Sequence, residues 1–322
     1  MTELLGHDAP WREFRSAVAS PRMHHAWMLT GLKGLGKGLF ARAAAAELVA
    51  EPGQPRSQLP VDLHPDILIP EHPPESKDEA KKREEGGEYR RKRSIPIDEI
   101  RAVQHRLTTR PTLGTRRVVI IDPADDLEKN AANALLKCLE EPPVGTYFLL
   151  VTHRPGRLLP TIRSRCRILR FAPLANAAVD SVLRKAVPEA DSLAREAAVM
   201  AAEGSPGAAL DFVEQDLGKL HQLMIRLMAD GDPHFALRGA LSEEIGARPD
   251  RERQQAAVDL ARAVVAAELG KGGALRDQRV IAAHGDLVRL SAQLPTYNFD
   301  PALAVMEIGA LLASLAMPRD AA

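Results

Sequence analysis

The run Gly31-Leu32-Lys33-Gly34-Leu35-Gly36-Lys37-Gly38 constrains this chain more than any other. It follows the short apolar segment Ala26-Trp27-Met28-Leu29-Thr30 and precedes a stretch rich in Ala, Leu and Glu at 39–49. A G-x-x-x-x-G-K pattern between a strand and a helix is a phosphate-binding turn: its glycines let backbone N–H groups converge, and its lysine adds a point charge. Such a turn is built where a buried strand hands over to a helix, so the expected surroundings are an α/β domain with a parallel sheet.

Further runs at 66–69, 117–122, 147–152 and 167–171 read as strands, three of them continuously apolar, as strands buried on both faces should be. Helical stretches at about 97–108 and 127–140 lie between them, so strand and helix alternate. Residues 71–94 differ in texture, with Pro73-Pro74, Gly86-Gly87 and dense mixed charge. They read as a solvated, mobile insertion, in which the preceding acids nearly cancel the basic Arg90-Arg91-Lys92-Arg93.

Beyond residue 173 the strand signal ends. Stretches 175–187 and 192–203 read as two helices closed by Gly204-Ser205-Pro206-Gly207. Everything after about residue 215 reads as helical, including 254–269 and a final helix that Asp300 caps with Pro301 in its first turn. In that helix Leu303, Met306, Ala310, Ala313 and Met317 form one apolar stripe, and Val305, Ile308, Leu312 and Leu315 another. A helix apolar on two faces belongs in a bundle or a subunit contact. With 322 residues, too many for one core, the chain divides into a strand-rich domain at 1–172, a small helical one at 173–214 and a helical one at 215–322.

Composition narrows the function. Lys plus Arg number 43 and Asp plus Glu number 43, so the formal net charge is zero. That argues against strong global attraction to nucleic acid and leaves room for a local basic face. Cys138 and Cys166 lack C-x-x-C spacing, which supports neither a disulfide framework nor a cysteine zinc site. The first residues show no basic-then-apolar leader, and no apolar run is long enough to cross a bilayer, so the expected location is cytoplasmic.

Hydrolysis of ATP asks for more than a phosphate turn: a hydroxyl and a strand-end carboxylate for Mg²⁺, and a group that orients water. Gly38 stands where the hydroxyl would be. Asp122, at the end of the strand at 117–122, can help hold a metal, but Pro123 stands where a water-poising carboxylate would be. Gly31, Gly34, Gly36, Lys37 and Gly38 therefore either bind nucleotide without turning it over or persist as a tight strand-to-helix turn. Arg165 closes the run Leu158-Leu159-Pro160-Thr161-Ile162-Arg163-Ser164-Arg165 before Cys166. It either pairs with a carboxylate at the edge of the sheet or reaches the γ-phosphate of a neighbouring subunit, a contact worth about 10³–10⁵ in rate where it occurs.

The run Val118-Val-Ile-Ile-Asp-Pro-Ala-Asp-Asp-Leu-Glu-Lys-Asn-Ala-Ala-Asn-Ala-Leu-Leu-Lys-Cys-Leu-Glu-Glu-Pro-Pro143, followed by residues 158–166 with their Ser-Arg-Cys ending, resembles bacterial clamp-loader subunits of the AAA+ class. The likeness covers most of the first 210 residues. It implies an AAA+ P-loop domain at 1–172, a small helical lid at 173–214 and an all-α collar at 215–322. In that family motor subunits hydrolyse ATP, while a rigid stator lends its Ser-Arg-Cys arginine to the adjacent motor. Arg165 matches that arginine and Thr152 matches the polar strand-end position called sensor 1. Gly207 stands where motor subunits keep a phosphate-sensing arginine.

The resemblance thus implies a non-catalytic clamp-loader subunit of DNA polymerase III. Its implied partners are gamma/tau motor subunits and a delta subunit in a hetero-pentamer, acting on the sliding clamp and primed DNA. No cofactor is required on this reading, and ATP or ADP held without hydrolysis is compatible with it. Many relatives carry a four-cysteine zinc module after the phosphate-turn helix, but residues 51–64 hold no cysteine. His24, His25, His64 and His72 lack a matched set of soft ligands, so no metal is expected. Two other readings stay open: a self-sufficient AAA+ ATPase acting on DNA or protein, and a kinase-like P-loop enzyme.

Overall fold

Five short strands, the central ones buried along nearly their whole length, build the first of two units, Met1–Pro173 and Leu174–Ala322, in the computed structural model of the protein. The structure describes residues 6–50, 59–246, 248–294 and 300–316. Strands β1 (Ala26–Thr30), β2 (Ile67–Leu68), β3 (Arg117–Ile121), β4 (Thr146–Thr152) and β5 (Arg167–Arg170) form one sheet in the order β2-β3-β4-β1-β5. Every pairing is parallel. The helices of this unit are α1 (Asp8–Val18), α2 (Lys37–Val49), α3 (Lys77–Glu84), α4 (Ile97–Leu107), α5 (Lys129–Glu140) and the single turn α6 (Pro160–Arg163).

Successive strand residues point to opposite faces. Trp27, Leu29, Val118, Ile120, Leu149 and Val151 pack with Phe14 of α1 and Phe40 and Leu48 of α2. Ala26, Met28, Val119, Ile121, Phe148 and Leu150 pack with Ile100 and Val103 of α4 and Leu135 and Leu139 of α5. Helices cover both faces, which is why these strands are apolar without alternation. Phe14 and Phe40 meet edge to face at 5.8 Å. Each such buried ring contributes about 2–3 kcal/mol, and truncating Phe40 to Ala costs about 3–5 kcal/mol.

The register sets Thr30 beside Thr152 on one side and Arg170 on the other. The carboxyl ends of β1, β4 and β5 therefore share one edge, and in open α/β sheets that edge carries the crevice where ligands bind.

Residues 71–94 are mostly exposed and carry regular structure. Ser76 caps α3 by accepting from the Glu79 N–H, and Pro74 and Arg91 pair across an antiparallel bridge. Glu79 also accepts from Lys82 and from the Arg90 N–H, at 2.7 and 2.6 Å. An exposed helix held by charge pairs has no apolar stripe to betray it.

Among its described residues the second unit is all helical: α7 (Asn176–Ala186), α8 (Ser192–Ala201), α9 (Pro206–Glu214), α10 (Gly218–Asp230), α11 (Ala236–Ile245), α12 (Arg251–Ala266), α13 (Ala274–Gln293) and α14 (Pro301–Ala313). One apolar core runs from Val179 and Leu183 through Phe212, Met224 and Val265 to Ile308 and Leu312. The turn at 204–207 both ends and begins helices. Gly204 takes a left-handed φ of 81° after α8, while Ser205 accepts from the Ala208 N–H and Pro206 opens α9. Asp250 and Asp300 cap α12 and α14 through the N–H groups of Arg253 and Ala302. Of the two stripes on α14, Val305, Ile308, Leu312 and Leu315 are buried, whereas Leu303 and Met306 are 66% and 36% exposed. Met317 and residues 1–5 lie outside the described residues. Among the described residues no helix is long and apolar enough to cross a membrane.

Candidate functional site

The turn between β1 and α2 depends on its glycines. Gly31 has a φ of 152°, and a β carbon there would lie 2.5 Å from the Phe171 carbonyl oxygen. Gly36 is left-handed at the N-cap of α2, with a φ of 79° and no side-chain cap. The first N–H groups of α2 thus face the turn uncapped, an arrangement that attracts anions. His7 braces the turn from α1's side by donating from Nε2 to Leu35 O at 2.6 Å while its ring meets Phe171 edge-on. Burial holds its pKa below the ordinary value, so the ring is neutral at pH 7.

Lys37 Nζ donates to the carbonyls of Gly31, at 2.8 Å, and Leu32, at 2.5 Å. The residue is 2% exposed. Burial lowers its pKa to about 8, against the pull of Asp122 and Asp125 upward. The lysine expected on phosphate oxygens therefore lies on the turn's own carbonyls in this structure and closes the turn around itself.

Asp122 lies against the start of α2. A β carbon at Gly38 would meet Asp122 Oδ2 at 2.2 Å, so the carboxylate fills the space that a Ser or Thr side chain would need. Arg42, one turn further along α2, reaches the same oxygen at 3.5 Å and pairs with Asp62 at 3.2 Å. Burial raises the pKa of Asp122, with Arg42 and Lys37 opposing that rise. A Mg²⁺ ion would need several oxygens in near-octahedral array. The residues present do not fit it: the hydroxyl is gone, Pro123 offers no side-chain oxygen, and a guanidinium holds the one carboxylate.

Thr152, fully buried at the end of β4, donates from Oγ1 to Asp125 Oδ1 at 2.6 Å. Asp125 also accepts from the N–H groups of His153, at 2.6 Å, and Arg154, at 3.2 Å. Next to it, burial drives the His153 pKa down to about 4, and the Lys37 charge adds to that. Asp125 and Arg42 organise this edge, and neither stands out in the sequence. Arg42 had one signal: it lies four residues after Gly38 and so shares its helix face.

Arg165 follows α6. Its Nη2 pairs with Glu140 Oε1 at 2.7 Å, and its Nη1 donates to Thr161 O at 3.0 Å. The side chain stays 35% exposed. Cys166 beside it is inert as a thiol, because burial pushes its pKa up to about 12. Gly207 sits in the first turn of α9. Gly31, Gly34, Gly36, Lys37, Gly38 and Asp122 gather around one turn, Thr152 closes the neighbouring strand, and Arg165 stands apart on its own surface turn.

The family profile described as DNA polymerase III, delta subunit, matches residues 6–175. The DNA polymerase III subunit delta′ of Pseudomonas aeruginosa is 35% identical over 211 residues, 61% of this chain and 58% of that protein. The subunit delta′ of Escherichia coli is 32% identical over 255 residues, covering 73% of this chain and 70% of its own length. A gamma/tau subunit of Mycobacterium bovis is 28% identical over 219 residues, 66% of this chain but only 36% of that longer protein. The matched stretch thus spans a little over half of the first relative and 70% of the second. Since the family profile covers the whole sheet-bearing unit and a delta′ relative extends the match into the helical one, the chain belongs to the DNA polymerase III delta′ subunit family.

Proposed function

We propose that this protein is the non-hydrolysing member of a bacterial DNA polymerase III clamp loader. It helps place the sliding clamp on primed DNA, and it supplies Arg165 in trans to the ATP site of a neighbouring gamma/tau motor. The observation that carries the reading is a contrast: the chain's own metal site is filled by Asp122 and Arg42, while Arg165 stays accessible on a short, braced turn. A guanidinium held this way suits recognition of a phosphate oxygen pair on another chain.

The assembly follows the same logic. Residues 1–172 form the AAA+ domain, 173–214 the lid and 215–322 the collar, which joins gamma/tau and delta subunits in a hetero-pentamer. The exposed Leu303 and Met306 on α14 support a subunit contact there. On this reading the protein is cytoplasmic, is no enzyme by itself and needs no cofactor or zinc. ATP or ADP at its turn would be held without hydrolysis.

Steady-state assay of the purified chain with ATP and Mg²⁺ tests the first half. The expected result is no turnover above background. A rate of about 1 per second or faster, within the ordinary enzyme range, would contradict it and favour a self-sufficient ATPase.

A further inference from the structure

In a working phosphate turn the Mg²⁺ ion lies between the hydroxyl that follows the lysine and a strand-end carboxylate, about 2.1 Å from each oxygen. An ion on that hydroxyl falls within about 3.5 Å of the residue's β carbon, given that bond length. In this chain a β carbon built at Gly38 has Asp122 Oδ2 at 2.2 Å and Arg42 Nη1 at 3.7 Å. Arg42 Nη1 is itself 3.5 Å from Asp122 Oδ2. The guanidinium nitrogen therefore lies beside the place an ion would take, and it pairs with the carboxylate that would have been the ion's ligand.

We infer that Arg42 takes the place of the divalent cation, so that this turn is a metal-excluding site and Asp122 serves as a counter-ion in it. Arg42 is held from both sides, by Asp62 through Nε at 3.2 Å and by Asp122 through Nη1. Entry of Mg²⁺ would break both pairs and set a doubly charged ion beside a guanidinium. The cation also sheds its water reluctantly, and both carboxylates near it, Asp122 and Asp62, are already paired with Arg42. Glycine at 38 follows from the same geometry. A side chain there would have to displace Asp122 Oδ2, the atom that pairs with Arg42. A phosphate-bearing ligand that reached this turn would be held without metal.

The inference deepens the non-hydrolysing reading and rests on it for its setting, but its test does not use turnover. Mn²⁺, the paramagnetic stand-in for Mg²⁺, is titrated into the full-length chain and followed by electron paramagnetic resonance. Wild type should give the same spectrum as Asp122→Asn, with no Mn²⁺ held at this site. Arg42→Met keeps the aliphatic stem and frees two carboxylates. It should raise Mn²⁺ affinity about tenfold or more, and Asp122→Asn should remove the gain in that background. Gly38→Ser alone should bind no Mn²⁺ and should melt earlier than wild type. Should Arg42→Met fail to fold, Arg42→Gln serves the same purpose. Wild-type Mn²⁺ binding that Asp122→Asn abolishes would overturn the inference, and so would a folded Arg42 variant that gains nothing. ATP turnover by the wild-type chain would instead count against the non-hydrolysing reading, so the two failures are distinguishable.

Discussion

Arg165 Nη2 lies 2.7 Å from Glu140 Oε1, which tethers the arginine of the Ser-Arg-Cys run to the last residue of α5. Their side chains are 35% and 47% exposed. At that exposure screening and side-chain entropy leave an ion pair with about 0–1 kcal/mol. The pair can thus aim the guanidinium and still release it to a phosphate. Glu140→Ala should shift the free energy of urea unfolding by less than about 1 kcal/mol, and a double-mutant cycle with Arg165→Ala should stay under the same limit. Coupling of several kcal/mol would mark the pair as a structural lock.

Asp125 is a different kind of residue. It takes hydrogen bonds from Thr152 Oγ1 and from two backbone N–H groups, at the buried end of β4. Asp125→Ala leaves those donors without their acceptor and should cost about 2–4 kcal/mol in urea denaturation. Asp125→Asn, which keeps one carbonyl oxygen, should cost less. A loss near zero for the alanine variant would show that water replaces the carboxylate without penalty.

His153 should make the protein acid-sensitive. Its ring has a pKa of about 4 in the fold against 6.5 ordinarily, chiefly through burial. Between those values the unfolded chain binds the extra proton, so stability is full above pH 6.5 and falls as pH drops toward 4. Allowing for solvent at the partly buried ring, the loss attributable to this group is on the order of 2 kcal/mol. Melting wild type and His153→Gln across that range should show a shallower acid limb in the variant, and parallel curves would contradict the assignment.

Strands β1, β3 and β4 were legible because they are buried on both faces, and the residue types say so without help from tertiary structure, whereas the edge strand β5 buries only Leu169. The expected strand at 66–69 shrinks to Ile67–Leu68, since Asp66 turns inward to Arg117 at 3.3 Å and caps the N–H groups of Thr112 and Leu113. Helices α1 and α3 gave weak signals: α1 buries only Pro10, Phe14 and Ala17, and α3 buries nothing. At the site, the gaps at Gly38 and Pro123 were readable because the motif fixes what belongs there. The roles of Arg42 and Asp125 were not, since they arise where β3's end meets α2 and β4, an approach that no spacing encodes. The sequence left open a carboxylate partner for Arg165. That it is Glu140, 25 residues earlier, follows from the packing of α5 against α6.

The two stripes of α14 make separable predictions. Leu312 is fully buried, so Leu312→Asp should unfold the helical unit, placing an unpaired charge in its core. Leu303→Asp with Met306→Glu alters exposed positions and should leave the chain folded by circular dichroism, yet abolish co-elution with motor subunits. Full stoichiometric assembly of that double variant would remove α14 from the subunit contact.

The most direct test of the account is the ATPase rate of a reconstituted clamp loader that carries Arg165→Ala in this subunit. The variant should fold and assemble, because the lost ion pair is exposed. Total hydrolysis should fall in part, at the one interface this subunit completes, and clamp loading should fall with it. Arg165→Lys should rescue poorly, since an ammonium cannot span two phosphate oxygens as a planar guanidinium does. Unchanged hydrolysis and loading, in a complex verified to contain the alanine variant, would contradict the account and leave Arg165 as the partner of Glu140 alone.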